Sequence, residues 1–468
     1  MVTSVGSEGR AFATRTQKLV EFASTLRFED IPRSIVDMSK RMVLDSLGCA
    51  LAASTLGDGC REAVAVMQKL GGKPESTILG FNTKVSSTGA AFANGALVHA
   101  LNYDPIGADI GHVGVVCLAA PLALAEAEGP VSGKTFLTAS IVACETVARI
   151  TAAIARTGRH PSEKFLAGQL LSYFGAAIGG ARILGLDAAR MNSALGLALM
   201  QMGGSRQIVL GGDYPAKSIY GAFPNQAGVL AALLARDGLQ ANCDVFGEPA
   251  GLYDMIYDGG LDLDVLTDGL GTQFLIEETE FKPWPTSNRL HPFIEAALAI
   301  AETDFSAADV ARVEVFASSK TSAWCEPIER KRRPENASAA ANSVPFSIAK
   351  ALANRRIDLK SFSDDGLADA QALSLASRLS CHLDEKTKGA LINVHLLDGR
   401  ILSNKVDLPI GSRQRPIPDE LLQAKFRDAC AYAVKRIEPS RVDSWMESIL
   451  HLDACEDAAA RITVNSQD

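Results

Sequence analysis

The sequence contains no C-x-x-C pair, no long run of basic residues, few aromatics and no uninterrupted apolar stretch of bilayer-spanning length. Each absence removes a class of function. Nine cysteines are scattered singly from Cys49 to Cys455, a pattern that implies neither a zinc or iron–sulfur ligand set nor a disulfide framework. The expected compartment is therefore a reducing one, the cytoplasm. A net charge of −8 without a long Lys/Arg run argues against nucleic acid or anionic membrane as a partner. The longest uncharged apolar stretch, Val113 to Ala125, is interrupted by Pro121 and falls short of the ~20 residues of a spanning helix. The opening residues MVTSVGSEGRAFATRTQ lack the apolar region of a secretion signal. Walker loop, G-x-S-x-G elbow, H-E-x-x-H pair and Rossmann glycine fingerprint are all missing.

What is present is a great deal of Ala, Gly and Leu at helical spacing. With 468 residues, 47% of them hydrophobic, the chain can build two or three domains with large cores. From residue 13 to about 242 the apolar positions recur at i, i+3 and i+4, and several segments, SSTGAAFANGALVHALN among them, are apolar on nearly every side. Such helices belong inside a bundle. Near Asp264 the pattern changes. ARVEVFAS (311–318) alternates like a half-buried strand, and INVHLLDGRILSNKVDL (392–408) reads as a hairpin through Asp398-Gly399. VPFSIAKALANRRI and ADAQALSLASRLS between them read as helices. The expected fold is mainly α: a large all-helical domain of residues 1–263, completed by 411–468, and a smaller α+β domain of 264–410.

Four polar loops interrupt the apolar helices. NYDPIGADIGH carries Asp104 and His112; GRHPSEKF carries His160; GDYPAKSIYGAFPN carries Lys217 and Tyr220; FKPWPTSNRLHPF carries Lys282, Ser287, Arg289 and His291. Histidines, a carboxylate and lysines at helix breaks are what proton transfer on an anionic substrate requires. Cations fix carboxylates, and a histidine exchanges protons near neutral pH. His99, inside VHAL, reads as a buried, hydrogen-bonded core residue.

In this order, RMVLDSLGCALAAS, AAFANGALVHALNYD, APLALAEAEG, FGAAIGGARILGLD, QAGVLAALLARDGL and FKPWPTSNRLHP resemble the MmgE/PrpD family over nearly the whole chain. That family includes 2-methylcitrate dehydratase, cis-aconitate decarboxylase and iminodisuccinate epimerase. The resemblance implies a homodimer with a metal-free, cofactor-free site between a helical and an α+β domain, acting on small di- and tricarboxylates. It also assigns residues. Asp104 matches the first of a family Asp-Asp pair, while Pro105 replaces the second; His112 matches a His-Pro histidine but precedes Val113. His160-Pro161 matches the second His-Pro, Lys217 a family lysine, and Tyr220 stands where a histidine is usual. The K-P-x-P motif supplies Lys282, with Ser287 at a position often held by Cys or His.

These matches imply that His160 or His112 is the base, oriented by Asp104, with Tyr220 as a general acid. Lys217, Lys282 and Arg289 would clamp substrate carboxylates and carry developing negative charge. Dehydration is the first expected outcome; epimerisation, decarboxylation and a non-catalytic polycarboxylate-binding role stay open.

Overall fold

The computed structural model describes residues 13–159, 165–210 and 214–463. Two apolar cores organise them. The first gathers side chains from Leu19 to Phe281 and again from Ile417 to Ile462; the second uses residues from Leu290 to Leu396 only. Building the first are α1 (Arg15–Thr25), α2 (Arg33–Leu56), α3 (Cys60–Leu70), the short hairpin β1 (Ser76–Ile78) and β2 (Thr83–Val85), and α4 (Ser87–His99). There follow α5 (Ala119–Glu128), α6 (Gly133–Ala155), α7 (Ala167–Ile183), α8 (Ala188–Gln201), α9 (Ala222–Arg236) and α10 (Leu252–Ile256). Helices Asp419–Cys430 and Pro439–Leu450 return to it with Leu422, Phe426 and Trp445. The second core is a four-stranded sheet covered by α11 (His291–Ala301) and helix Val344–Asn354. The fold is thus mainly α, with a smaller α+β part.

Small residues let the inner helices touch. At the crossing of α4 with the start of α9, a Cβ added to Gly95 would lie 2.4 Å from the Gly221 carbonyl oxygen. That close approach sets the end of α4 against the residue before Gly221, which is Tyr220. Lower down the same helix, a Cβ at Gly228 would meet Ala176 of α7 at 2.5 Å, so α7 and α9 are equally close.

In the sheet, β3 (Val310–Ala317), β4 (Leu379–Leu383), β5 (Ala390–Leu396) and β6 (Ile401–Val406) lie in the order β4-β3-β5-β6. β3 pairs parallel with β4 and antiparallel with β5. Alternate residues of β5 are buried, as one covered face requires. The β5–β6 hairpin turns at Asp398-Gly399, with Gly399 at φ +91°, where glycine is favoured. β4 was not expected. LSCHL follows helix Ala370–Ser377 after the single residue Arg378, and among its residues only Leu379 is fully buried, so no period-2 pattern marks it.

α6 has the length and composition to cross a membrane, but its apolar window lies entirely within the first core. It also carries a buried ion pair, Glu145 with Arg149, at 2.7 Å. Arg149 donates to the carbonyls of Val265, Asp268 and Gln273, while Glu145 accepts from the backbone N–H groups of Leu275 and Ile276. This ties the stretch 265–276, whose apolar side chains join the first core, onto α6. Removing one partner of a buried, hydrogen-bonded pair strands the other. Arg149→Ala is expected to cost about 3–5 kcal/mol, read from urea unfolding curves.

Candidate functional site

After His99 the chain leaves α4 through Asn102 at φ +51°, a left-handed conformation that Asn tolerates. Gly107 and Gly111 then close the loop with two mutual backbone hydrogen bonds of 3.0 Å. Ile106 exchanges backbone bonds with Glu280 (3.1 and 2.6 Å), which lays the K-P-x-P segment alongside. Asp104 and Lys282 meet for this reason. Pro105 fills space rather than offering charge: a Cβ at Gly114 would collide with its ring at 2.5 Å.

Asp104 is completely buried and central. Its Oδ1 lies 3.1 Å from His99 Nδ1 and 4.0 Å from Lys282 Nζ; its Oδ2 lies 3.4 Å from His112 Nδ1. Lys282 Nζ also donates to the Asn102 carbonyl (2.7 Å) and side-chain oxygen (2.9 Å). Tyr220 packs on His99 with ring centroids 3.9 Å apart and the planes tilted by 39°, and His112 stands edge-on to both rings. The start of α7 closes this side, since a Cβ on Gly168 would fall 2.4 Å from Tyr220 Oη and 3.0 Å from His112 Cδ2. Tyr220 Oη and His99 Nε2 are buried without a hydrogen-bond partner among the described residues. His99 is 1% exposed and His112 23%, so His112 is the imidazole that a ligand can reach.

The charges sort themselves by burial. Desolvation would push the Asp104 carboxyl up, but His99, Lys282 and the hydrogen bond from His112 outweigh it and hold it well below the usual range. Desolvation lowers His99 to about 4, against the pull of Asp104. It lowers His112 too, with Lys282 and Lys217 adding to the effect. Lys282 falls to about 8, again chiefly through desolvation, with Lys217 and Lys425 contributing. Burial raises the Tyr220 phenol well above its ordinary value. At neutral pH the site therefore holds one fixed carboxylate, two neutral imidazoles and a lysine close to its titration point.

Lys217 ends the turn Pro215–Lys217 and borders two cavities. One, about 30 Å³, lies between His99, Asn102 and Lys217 on one side and Ser338, Ala341 and Asn342 of the α+β part on the other. That is room for about one water. The other, about 580 Å³, opens on the far side of Lys217 and Tyr220.

Of the residues singled out in the sequence, the structure gathers Asp104, His112, Tyr220 and Lys282 in one cluster and sets Lys217 beside it. Ser287 is half-buried; its backbone N–H donates to the Ala341 carbonyl (2.9 Å), fastening the K-P-x-P segment to the wall of the small cavity. Arg289 is exposed, and its charge acts on Glu280 instead of the cluster. His160 lies outside the described residues.

Three further participants escaped the sequence reading. His99 is the buried, hydrogen-bonded residue expected, but its partner is Asp104. Lys425, on helix Asp419–Cys430, pairs with Asp45 of α2 at 2.7 Å and sits 3.5 Å from the centroid of the Tyr103 ring. It also donates to the carbonyls of Tyr103 and Lys282. Asp45 and Lys425 thus brace the loop from behind. The available signal was a lysine on the apolar face of LLQAKFRDAC, between Leu422 and Phe426.

Ligand atoms of His99, Asp104 and His112 lie within 4.8 Å of one another, close enough to share a metal ion.

A family model described as the MmgE/PrpD N-terminal domain matches residues 17–263, and one for the MmgE/PrpD C-terminal domain matches residues 284–451. The cis-aconitate decarboxylase-like protein oryM of Aspergillus oryzae is 26% identical, covering 96% of this chain and 97% of its own length. A cis-aconitate decarboxylase of Aspergillus terreus is 24% identical, over 97% of this chain and 96% of that protein. The cis-aconitate decarboxylase of Homo sapiens is 24% identical, over 92% and 90%.

Proposed function

This chain belongs to the MmgE/PrpD family, and from that premise we propose that it is a lyase acting on a small di- or tricarboxylate by side-chain acid–base chemistry. One observation carries the reading. A fully buried carboxylate, Asp104, reaches two imidazoles and a lysine within 4.0 Å, where α4, the polar loop and the K-P-x-P segment meet. His112, neutral and partly exposed, takes or returns the proton next to a substrate carboxylate. Asp104 orients it. Lys217 and Lys282 hold carboxylates and the negative charge that builds on the reacting carbon; Tyr220 Oη is the donor in place of the usual family histidine. A polycarboxylate is larger than the small cavity, so binding there moves the Ser338–Asn342 wall away from Asn102.

Loss of a β-hydroxyl from the carbanion-like intermediate makes the enzyme a hydro-lyase of the 2-methylcitrate dehydratase kind. The names of the relatives favour a second outcome, decarboxylation: the C–C bond to a carboxylate breaks, CO₂ leaves, and the electron pair left on carbon takes a proton. Incubating the protein with 2-methylcitrate and cis-aconitate, while following alkene formation and CO₂ release, separates the two. In either case Lys217→Ala is expected to lower turnover by about 10²-fold. Wild-type turnover by a folded Lys217→Ala protein would remove the reading.

We also propose a homodimer. Val66 and Leu70 of α3 and Leu230 and Leu234 of α9 leave apolar side chains exposed on helices that flank α4. Sedimentation equilibrium is expected to give twice the chain mass; a monomer at micromolar concentration would refute this.

A further inference from the structure

The larger cavity is unlike the polar cluster it adjoins. Its volume, about 580 Å³, falls in the ~300–1,000 Å³ range of small-molecule sites. Here Leu166, Ile208, Leu210, Ile219 and Phe223 supply apolar wall, with the uncharged Gln169 and Gln207 beside them. Among the described residues that line it, Lys217 is the only one with a charged side chain, and it lies at the inner end beside Tyr220. The wall is built, not incidental. Phe165 and Ser205 form a backbone bridge, and the Leu166 N–H donates to the Gly204 carbonyl at 2.8 Å as α7 begins. Tyr220 belongs to both places, packing on His99 and lining this cavity.

We infer that the substrate is amphiphilic: a polycarboxylate carrying a hydrocarbon substituent of several carbons, with the acid groups at Lys217 and the cluster and the chain in this cavity. The inference rests on the lyase reading above and names its substrate class. With carboxylates at Lys217, a hydrocarbon substituent finds room in the cavity that Lys217 and Tyr220 line together with Ile208, Ile219 and Phe223. Leu210 and Phe223, each about half exposed, would be covered by the chain end.

Calorimetric titration with succinate and with 2-methyl-, 2-butyl- and 2-hexylsuccinate tests this. Affinity is expected to rise on the order of threefold per methylene across the series. The hexyl-to-succinate ratio should collapse toward one in Ile208→Trp, which fills the cavity, and fall in Leu210→Glu, whose surface position keeps the fold safe. A flat series in the wild-type protein overturns the inference and leaves the lyase reading standing. A steep series that both variants retain also overturns it, because the chain then lies elsewhere. If succinate and its alkyl derivatives all fail to bind, or bind equally well to Lys217→Ala, the lyase reading falls and takes the inference with it.

Discussion

Asp104→Asn lowers turnover by about 10²–10⁴-fold, the range expected when positioned acid–base catalysis is lost. Two consequences of the substitution act in the same direction. The carboxylate faces His99 Nδ1 at 3.1 Å and His112 Nδ1 at 3.4 Å, and it accepts from both. Both imidazoles then carry their proton on Nδ1 and keep the Nε2 lone pair for chemistry. An Asn amide offers one oxygen and one NH₂, so one imidazole must change tautomer or lose its hydrogen bond. The second consequence is electrostatic. Asp104 is the carboxylate that supports the buried Lys282 ammonium, 4.0 Å away. Without it desolvation is less opposed, Lys282 sheds its proton below its present value of about 8, and the clamp weakens. That same proton loss spares the variant an uncompensated buried charge, so circular dichroism should show a native spectrum. Steady-state rates on the folded variant check the prediction.

Lys282 gives the second large effect. Its folded-state value of about 8 lies well below that of a free lysine, first through desolvation and then through Lys217 and Lys425. The sign follows directly. The ammonium is present below pH 8 and disappears as pH rises through it, so kcat/KM should fall on the alkaline side with an apparent pKa near 8. A bound carboxylate stabilises the charged form, which places the corresponding limb of kcat at higher pH. Lys282→Met should lose about 10²–10³-fold at neutral pH and lack the limb near 8 altogether. An unchanged alkaline limb in Lys282→Met would assign that titration to another group. Profiles of kcat and kcat/KM between pH 6 and 10 make the comparison.

Much of the helical scaffold was legible because burial on all sides leaves a compositional mark. SSTGAAFANGALVHA could only be an inner helix, and it is α4. The Asp398-Gly399 hairpin was legible because a tight turn between strands favours particular residue types. The polar loops stood out as interruptions, and the structure brings Asp104, His112, Tyr220 and Lys282 together from three of them. What the sequence could not show was contact. His99 meets Tyr220 because α4 and α9 cross at Gly95 and Gly221, a juxtaposition no local pattern encodes. Lys425 braces Tyr103 across 322 positions of chain, and its place on the apolar face of its helix says nothing of which loop it meets. Arg289 illustrates the opposite case. Its place in the K-P-x-P neighbourhood suggested a clamp, but the short turn Asn288–Leu290 carries it to the surface. β4 was hidden because a short strand with one fully buried residue has no period to read.

Proton transfer to and from carbon, directed by Asp104, is most directly tested by proton NMR of 2-methylcitrate and cis-aconitate incubated with the protein in D₂O. The wild-type protein is expected to place solvent deuterium on a carbon next to a carboxylate, in product or recovered substrate, and the Asp104→Asn protein to place almost none in the same time. Deuteration of carbon at the wild-type rate by a folded Asp104→Asn protein would contradict the account.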